Sequence, residues 1–120
     1  MHRVAEAKPK QLWCAATEYY RVYPLPFCVY VLVSQRDGDL YIGLTIDLDR
    51  RLKEHRNGNS FATSYRLPFE LIFCEFYRSK IDALRRERYL KSTKGNRIVR
   101  LMLRGGLAAI ERGRIASGDS

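Results

Sequence analysis

"FCVYVLVSQRDGDLYIGLTIDLDRRLKEH", residues 27–55, contains the order on which the fold depends. Phe27–Ser34 is rich in β-branched and aromatic residues and apolar at both alternations, the signature of a strand covered on both sides. Phe27, Val29, Val31 and Val33 share one face, and Cys28, Tyr30 and Leu32 share the other. Asp37-Gly38 is a hairpin turn signal, and "LYIG" continues as a second strand. Tyr30 and Tyr41 are therefore expected on neighbouring strands. Asp47 is a helix N-cap and Asn57-Gly58 a stop, so the segment between them reads as a helix whose inward stripe is Leu48, Leu52 and His55.

Further along, "FELIFCEFY" (69–77) predicts a third strand. "SKIDALRRERYLKS" predicts a second long helix, capped by Ser79, with Ile81, Leu84 and Leu90 on its buried side. "NRIVRLMLR" predicts a last helix after Gly95, and residues 105–120 read as a loose tail or marginal helix. "YPLPF" marks a boundary before Phe27, since two prolines favour extended backbone. The expected organisation is an N-terminal extension (1–26) with a short helix in "KQLWCAATEYYRV", a domain over 27–104, and the tail. The fold class is α+β: a small central three-stranded sheet, mixed or antiparallel, flanked by helices in ββαβαα order.

Composition narrows the partners. The chain has 120 residues, enough for one domain with a modest core. Lys plus Arg is 22 against 13 acids, a formal charge of +9, which favours polyanions. Between Arg85 and Arg104 stand eight bases and one acid, Glu87. Such a wall neutralises phosphates without reading sequence. Cysteines at 14, 28 and 74 are too far apart for a disulfide framework or zinc spacing and point to a reducing, cytoplasmic setting. Neither a signal peptide nor a run of ~20 apolar residues is apparent.

Some residues fit a plain core poorly. Glu87 falls in register with the apolar series 81, 84, 90, where a carboxylate needs a cation or an ion pair; neighbouring Arg85, Arg86, Arg88 and Lys91 offer the second and a divalent metal the first. Arg51 lies three residues after Leu48 and four before His55, on the helix side that meets the sheet. Its planar fork suits two phosphate oxygens, or it simply snorkels. Arg50, Lys53 and Arg56 spread over the solvent side as a solvated face or as unspecific phosphate contacts. Gly43 is either a turn glycine or a place where another group approaches the strand closely.

In this order, the positions resemble the GIY-YIG nuclease family. "CVY" (28–30) stands where the first signature belongs and "YIG" (41–43) matches the second. "DLDRRLKEHRNG" (47–58) looks like the arginine helix, and "DALRRERYLKSTKGN" (82–96) is similar to the glutamate helix of small bacterial members, which "TSYRLPFELIFCEF" (63–76) also fits. The resemblance implies an endonuclease that cuts phosphodiester bonds with one divalent cation, Mg2+ or Mn2+. By that resemblance Glu87 holds the metal, Tyr30 activates or orients the attacking water, and Tyr41 binds that water or the phosphate. Arg51 stabilises charge on the scissile phosphate, His55 assists near the nucleophile, and Gly43 shapes the packing beside the tyrosines. Arg50, Lys53, Arg56, Arg88, Lys91, Lys94 and Arg97 are expected along the nucleic acid, which is DNA, with RNA as the other polymer. Cys28 replaces the usual glycine and Val29 the isoleucine, and Asn96 is the nearest match to a family asparagine. No dedicated major-groove reader is visible, so structure-selective cutting in DNA repair or processing is expected. The competing expectation is a non-catalytic nucleic-acid-binding module on the same scaffold.

Overall fold

The computed structural model describes residues 24–58 and 68–116; the short helix expected before Tyr23, and Cys14 within it, lie outside them. Three strands, β1 (Phe27–Ser34), β2 (Leu40–Thr45) and β3 (Phe69–Tyr77), form one antiparallel sheet in the order β2-β1-β3. Helices α1 (Leu48–Arg56), α2 (Lys80–Lys91), α3 (Thr93–Met102) and α4 (Arg104–Ala116) complete the α+β fold. The expected order is borne out, with α4 added.

β1 is the central strand because both of its faces are apolar. From Cys28 to Ser34 every residue is buried. Val29 and Val31 pack with Ile42, Ala83, Leu90 and Val99 on one side. Cys28, Tyr30 and Leu32 pack with Tyr41, Leu48, Leu52, Phe69 and Cys74 on the other. Gly38 makes the β1–β2 turn with φ +78°, a value that few side chains tolerate. In β3 the register shifts opposite Val31/Leu32, and Ile72 and Phe73 both reach the Val29–Val31 side. One extra residue at a bulge has that effect.

α1 begins where expected: the Asp47 side chain accepts from the Arg50 amide at 3.1 Å. It ends at Asn57, with Gly58 at φ +74°. α2 is capped by Ser79, but its buried residues are Ala83 and Leu90. Ile81 is 66% exposed and Leu84 also lies outside the core, contrary to the expected stripe. A step of three residues turns a helix by roughly 300°, so each step slips about 60°; Ile81 and Leu90 end up about 180° apart. Only one of them could face the sheet. Glu87 stands about 40° from Ala83 on the inward side, so its placement survives for a different reason.

α3 also differs from expectation. It starts at Thr93, before Gly95, whose amide donates to the Ser92 hydroxyl at 3.0 Å. A Cβ on Gly95 would fall inside the Tyr89 carbonyl, so α2 and α3 meet closely only because this residue is glycine. Arg104–Ala116 forms α4, so the segment after Arg104 that reads as a loose tail or marginal helix is helical as far as residue 116, and Arg104 belongs to α4 and not to α3. Two arginines fasten this end of the molecule to the β1–β2 turn. Arg100 donates to the Gly38 carbonyl and Arg114 to the Arg36 carbonyl, each at 3.2 Å. Such contacts offset a helix-interior glycine, which costs about 1 kcal/mol.

Candidate functional site

The Tyr30 face of the sheet holds polar groups where a plain core would hold aliphatic ones. Tyr30 is only 1% exposed, and its hydroxyl shares a 3.0 Å hydrogen bond with Nε2 of His55, which is equally buried. The Tyr41 ring stands edge-on to His55, centroids 5.1 Å apart, and 6.3 Å from the Tyr30 ring. Phe69 closes the cluster beside Tyr41 and His55. Gly43 pairs with Tyr30 across β1 and β2. A Cβ there would penetrate the Tyr30 ring, so the glycine is a close-approach residue and not a turn.

Arg51 enters from α1, and its guanidinium lies close enough to the hydroxyls of Tyr30 and Tyr41 to act on them electrostatically. Its Nη1 also donates to Glu54 Oε1 at 2.7 Å, a charge-assisted contact. The side chain remains 32% exposed, so other donors of the fork face outward. Glu54 was not singled out from the sequence, although its i,i+3 spacing from Arg51 is legible there.

Burial dominates the electrostatics. It pushes the Tyr30 phenol up to about 12, although the hydrogen bond from Arg51 pulls the other way. The Arg51 charge acts in the expected direction and loses to desolvation. Burial, reinforced by Arg51 and opposed by Glu54, holds His55 below the usual histidine range. His55 is therefore neutral at pH 7, with its ring nitrogen against the phenol. Cys28 and Cys74, both free thiols, belong to the same cluster on β1 and β3.

Glu87 stands on a different element from these residues. Its helix packs on the Val29–Val31 face, opposite α1. The carboxylate is 18% exposed and accepts from Lys91 Nζ at 3.0 Å, its partner among the described residues. Arg86, the next residue back, reaches Glu75 of β3 at 2.6 Å. Residues 86 and 87 leave a helix about 100° apart. With Arg86 directed to β3, Glu87 leaves α2 about 100° further round, on the side away from that contact. β2 is an edge strand that leads directly into α1, so no further strand separates the two faces there. Thus the fold brings together Tyr30, Tyr41, Gly43 and His55 with Arg51 beside them, whereas Glu87 stands on α2, on the opposite face of the sheet, ion-paired with Lys91.

The remaining bases behave as a surface. Arg50, Lys53, Arg56, Arg88, Lys91, Lys94 and Arg97 are all exposed. Asn96 accepts from Arg100 within α3 at 3.2 Å. Among the described residues, no three His, Cys, Asp or Glu side chains form a cation cage, and no helix is long and apolar enough to cross a membrane.

The GIY-YIG catalytic domain model matches residues 26–99. A UPF0213 protein of Staphylococcus saprophyticus is 32% identical over 75 residues, covering 62% of this chain and 92% of that protein. One from Clostridium perfringens is 37% identical over 75 residues, covering 62% and 80%. The solution structure of a UPF0213 protein from Bacillus halodurans is 37% identical, covers 64% of this chain and 85% of its own, and superposes with a TM-score of 0.41. The two strand tyrosines, the glycine beneath Tyr30 and the arginine of α1 lie within the matched span, and the chain belongs to the GIY-YIG nuclease family.

Proposed function

We propose that this protein is a metal-dependent endonuclease that hydrolyses DNA phosphodiester bonds, selecting substrates by structure, in cytoplasmic DNA repair or processing. The observation that carries this reading is a buried Tyr30–His55 pair with Tyr41 against it and the Arg51 fork beside them. A pure binding module has no need to bury a phenol and an imidazole against each other behind an arginine. The nuclease unit is assigned to residues 27–104, with 1–26 and 105–120 as extensions.

Arg51 presents its outward N–H groups to two oxygens of the scissile phosphate, leaving one donor on Glu54. Tyr41, half-exposed, orients the attacking water or the phosphate. Tyr30, with a pKa of about 12, is too weakly acidic to be a free base at neutral pH. It orients by hydrogen bonding, and neutral His55 accepts a proton through its hydroxyl. Electrostatic stabilisation by Arg51 supplies the larger share of the rate.

GIY-YIG nucleases generally use a divalent metal, and Glu87 fits that role in its chemistry. It is a hard oxygen donor, largely buried, and a lone carboxylate suits Mg2+, which keeps most of its waters. Mg2+ or Mn2+ at Glu87 would supply Lewis-acid stabilisation of a phosphoryl or leaving oxygen. Lys91 must release the carboxylate for this.

The test is a panel of labelled duplex, flap, forked and single-stranded DNA incubated with Mg2+ or Mn2+. Cutting is expected to require the cation and to disappear in Glu87→Ala and Arg51→Ala proteins that fold normally. Unchanged cutting by Glu87→Ala would refute the metal assignment; salt-sensitive binding with no turnover by the wild type would favour the binding module.

A further inference from the structure

The other flank of α2 forms a groove against the edge of β3, and nothing in the proposed reaction uses it. Tyr77, Asp82, Arg85, Arg86 and Tyr89 line a cavity of about 500 Å³. Two tyrosine rings and two guanidinium groups meet there, and the parts are braced. Tyr77 donates to Glu75 Oε1 at 2.6 Å, and Arg86 Nε donates to the same oxygen at 2.6 Å. The Arg86 guanidinium carbon stands 5.8 Å from the Tyr89 ring centroid, a cation–π distance. Tyr89 is 36% exposed. Arg85 stands at the mouth, tied to Asp82 by an exposed 3.2 Å pair that is weak enough to exchange for a phosphate.

We infer that this groove binds unpaired nucleotides, with a base stacked on Tyr89 beside Tyr77 and its phosphate on Arg85. Aromatic rings beside arginines bind single strands because every base has a π-face, and stacking contributes about 1–3 kcal/mol per base. A duplex hides those faces in its own stack, so the groove selects single-stranded segments. The surrounding charge suits this occupant: Arg78, Lys80 and Arg88 lie exposed around the same helix and its approach. The inference rests on the nuclease reading and deepens it. Glu87 and Tyr89 leave α2 on opposite flanks, so the groove and the reactive edge are separated by one helix, about 10–12 Å across. A substrate that spans both must carry an unpaired stretch beside the cut.

The test uses fluorescence anisotropy of the full chain in the presence of a chelator, so that no cleavage is needed. The probes are labelled oligothymidylate of about a dozen nucleotides and an abasic oligomer of equal length. Tyr89→Ala is expected to weaken oligothymidylate binding by about 5–100-fold and to leave the abasic oligomer and the salt slope unchanged. Tyr89→Trp is expected to restore binding. A halogenated uracil in the probe should photocrosslink to Tyr89 or Tyr77, a readout independent of any variant. Equal losses on both oligomers, or none on either, would overturn the groove. A wild type that never cuts but keeps the Tyr89 dependence would overturn the nuclease reading alone.

Discussion

The two faces of β1 are equally buried and differently used. Val29 and Val31 look into aliphatic side chains from α2, α3 and β2. One residue along, Tyr30 looks into a histidine, a second tyrosine and an arginine. The fully buried residues of the first face are all apolar and supply hydrophobic stabilisation. The second buries a phenol and an imidazole that must satisfy each other, which contributes little net stability and fixes geometry. One strand therefore serves both purposes, because alternate residues point to opposite sides. Mutations on the two faces should separate stability from activity.

The sharpest separation comes from Leu90→Ala against Arg51→Ala. Emptying the buried Leu90 site is expected to cost about 2–5 kcal/mol, lowering the melting temperature by roughly 10 °C or more, with the activity of the folded fraction retained. Arg51→Ala should do the reverse. Cleavage should fall by about 10²–10³-fold or more while thermal melting barely moves, since its ion pair with Glu54 is partly exposed. If both variants lost stability equally, the division of labour between the faces would fail.

Gly43→Ala probes the seam between the two purposes. The new methyl would have to displace the Tyr30 ring, at an expected cost of about 1–3 kcal/mol, together with lost activity. Tyr30→Phe should be milder in stability, about 1–2 kcal/mol, because it leaves the His55 nitrogen without its phenol partner. Stable Tyr30→Phe protein with full cleavage would remove the phenol from the reaction.

The smallest effect is in pH. His55 has a folded pKa below its unfolded value of about 6.5, so the unfolded chain binds the proton more readily. The stability gained from neutral His55 is complete above that value and declines as pH falls below it. Melting curves between about pH 5 and 8 should show this loss in the wild type and a flatter profile in His55→Gln. Cleavage should share the acid limb. An unchanged slope in His55→Gln would assign the pH dependence to another group.

Much of the site was legible from local pattern. Tyr30 and Tyr41 fall on adjacent strands because a short Asp-Gly turn joins two apolar runs, and His55 faces inward because it follows Leu48 and Leu52 at helical spacing. From sequence Gly43 fits either a turn or a close approach, and only the Tyr30 ring decides between them. Glu54 was visible at i,i+3 from Arg51, yet its hold on the guanidinium depends on side-chain geometry that a spacing rule does not fix. The groove at Tyr89 was not legible at all, since Tyr77, Glu75 and Arg86 meet only across β3 and α2.

By itself, the sequence determined the central strand, the hairpin, the caps of α1 and α2, and the family; each depends on neighbours within a few residues, where propensity and periodicity act directly. The tertiary structure decided which side of α2 meets the sheet, because Ala83 is small enough for close approach while Ile81 is turned outward. It also decided that burial outweighs Arg51 in setting the Tyr30 phenol, and that Gly95 must lack a side chain. These outcomes depend on distances between segments far apart in the chain, and a linear pattern carries no information about the space between them.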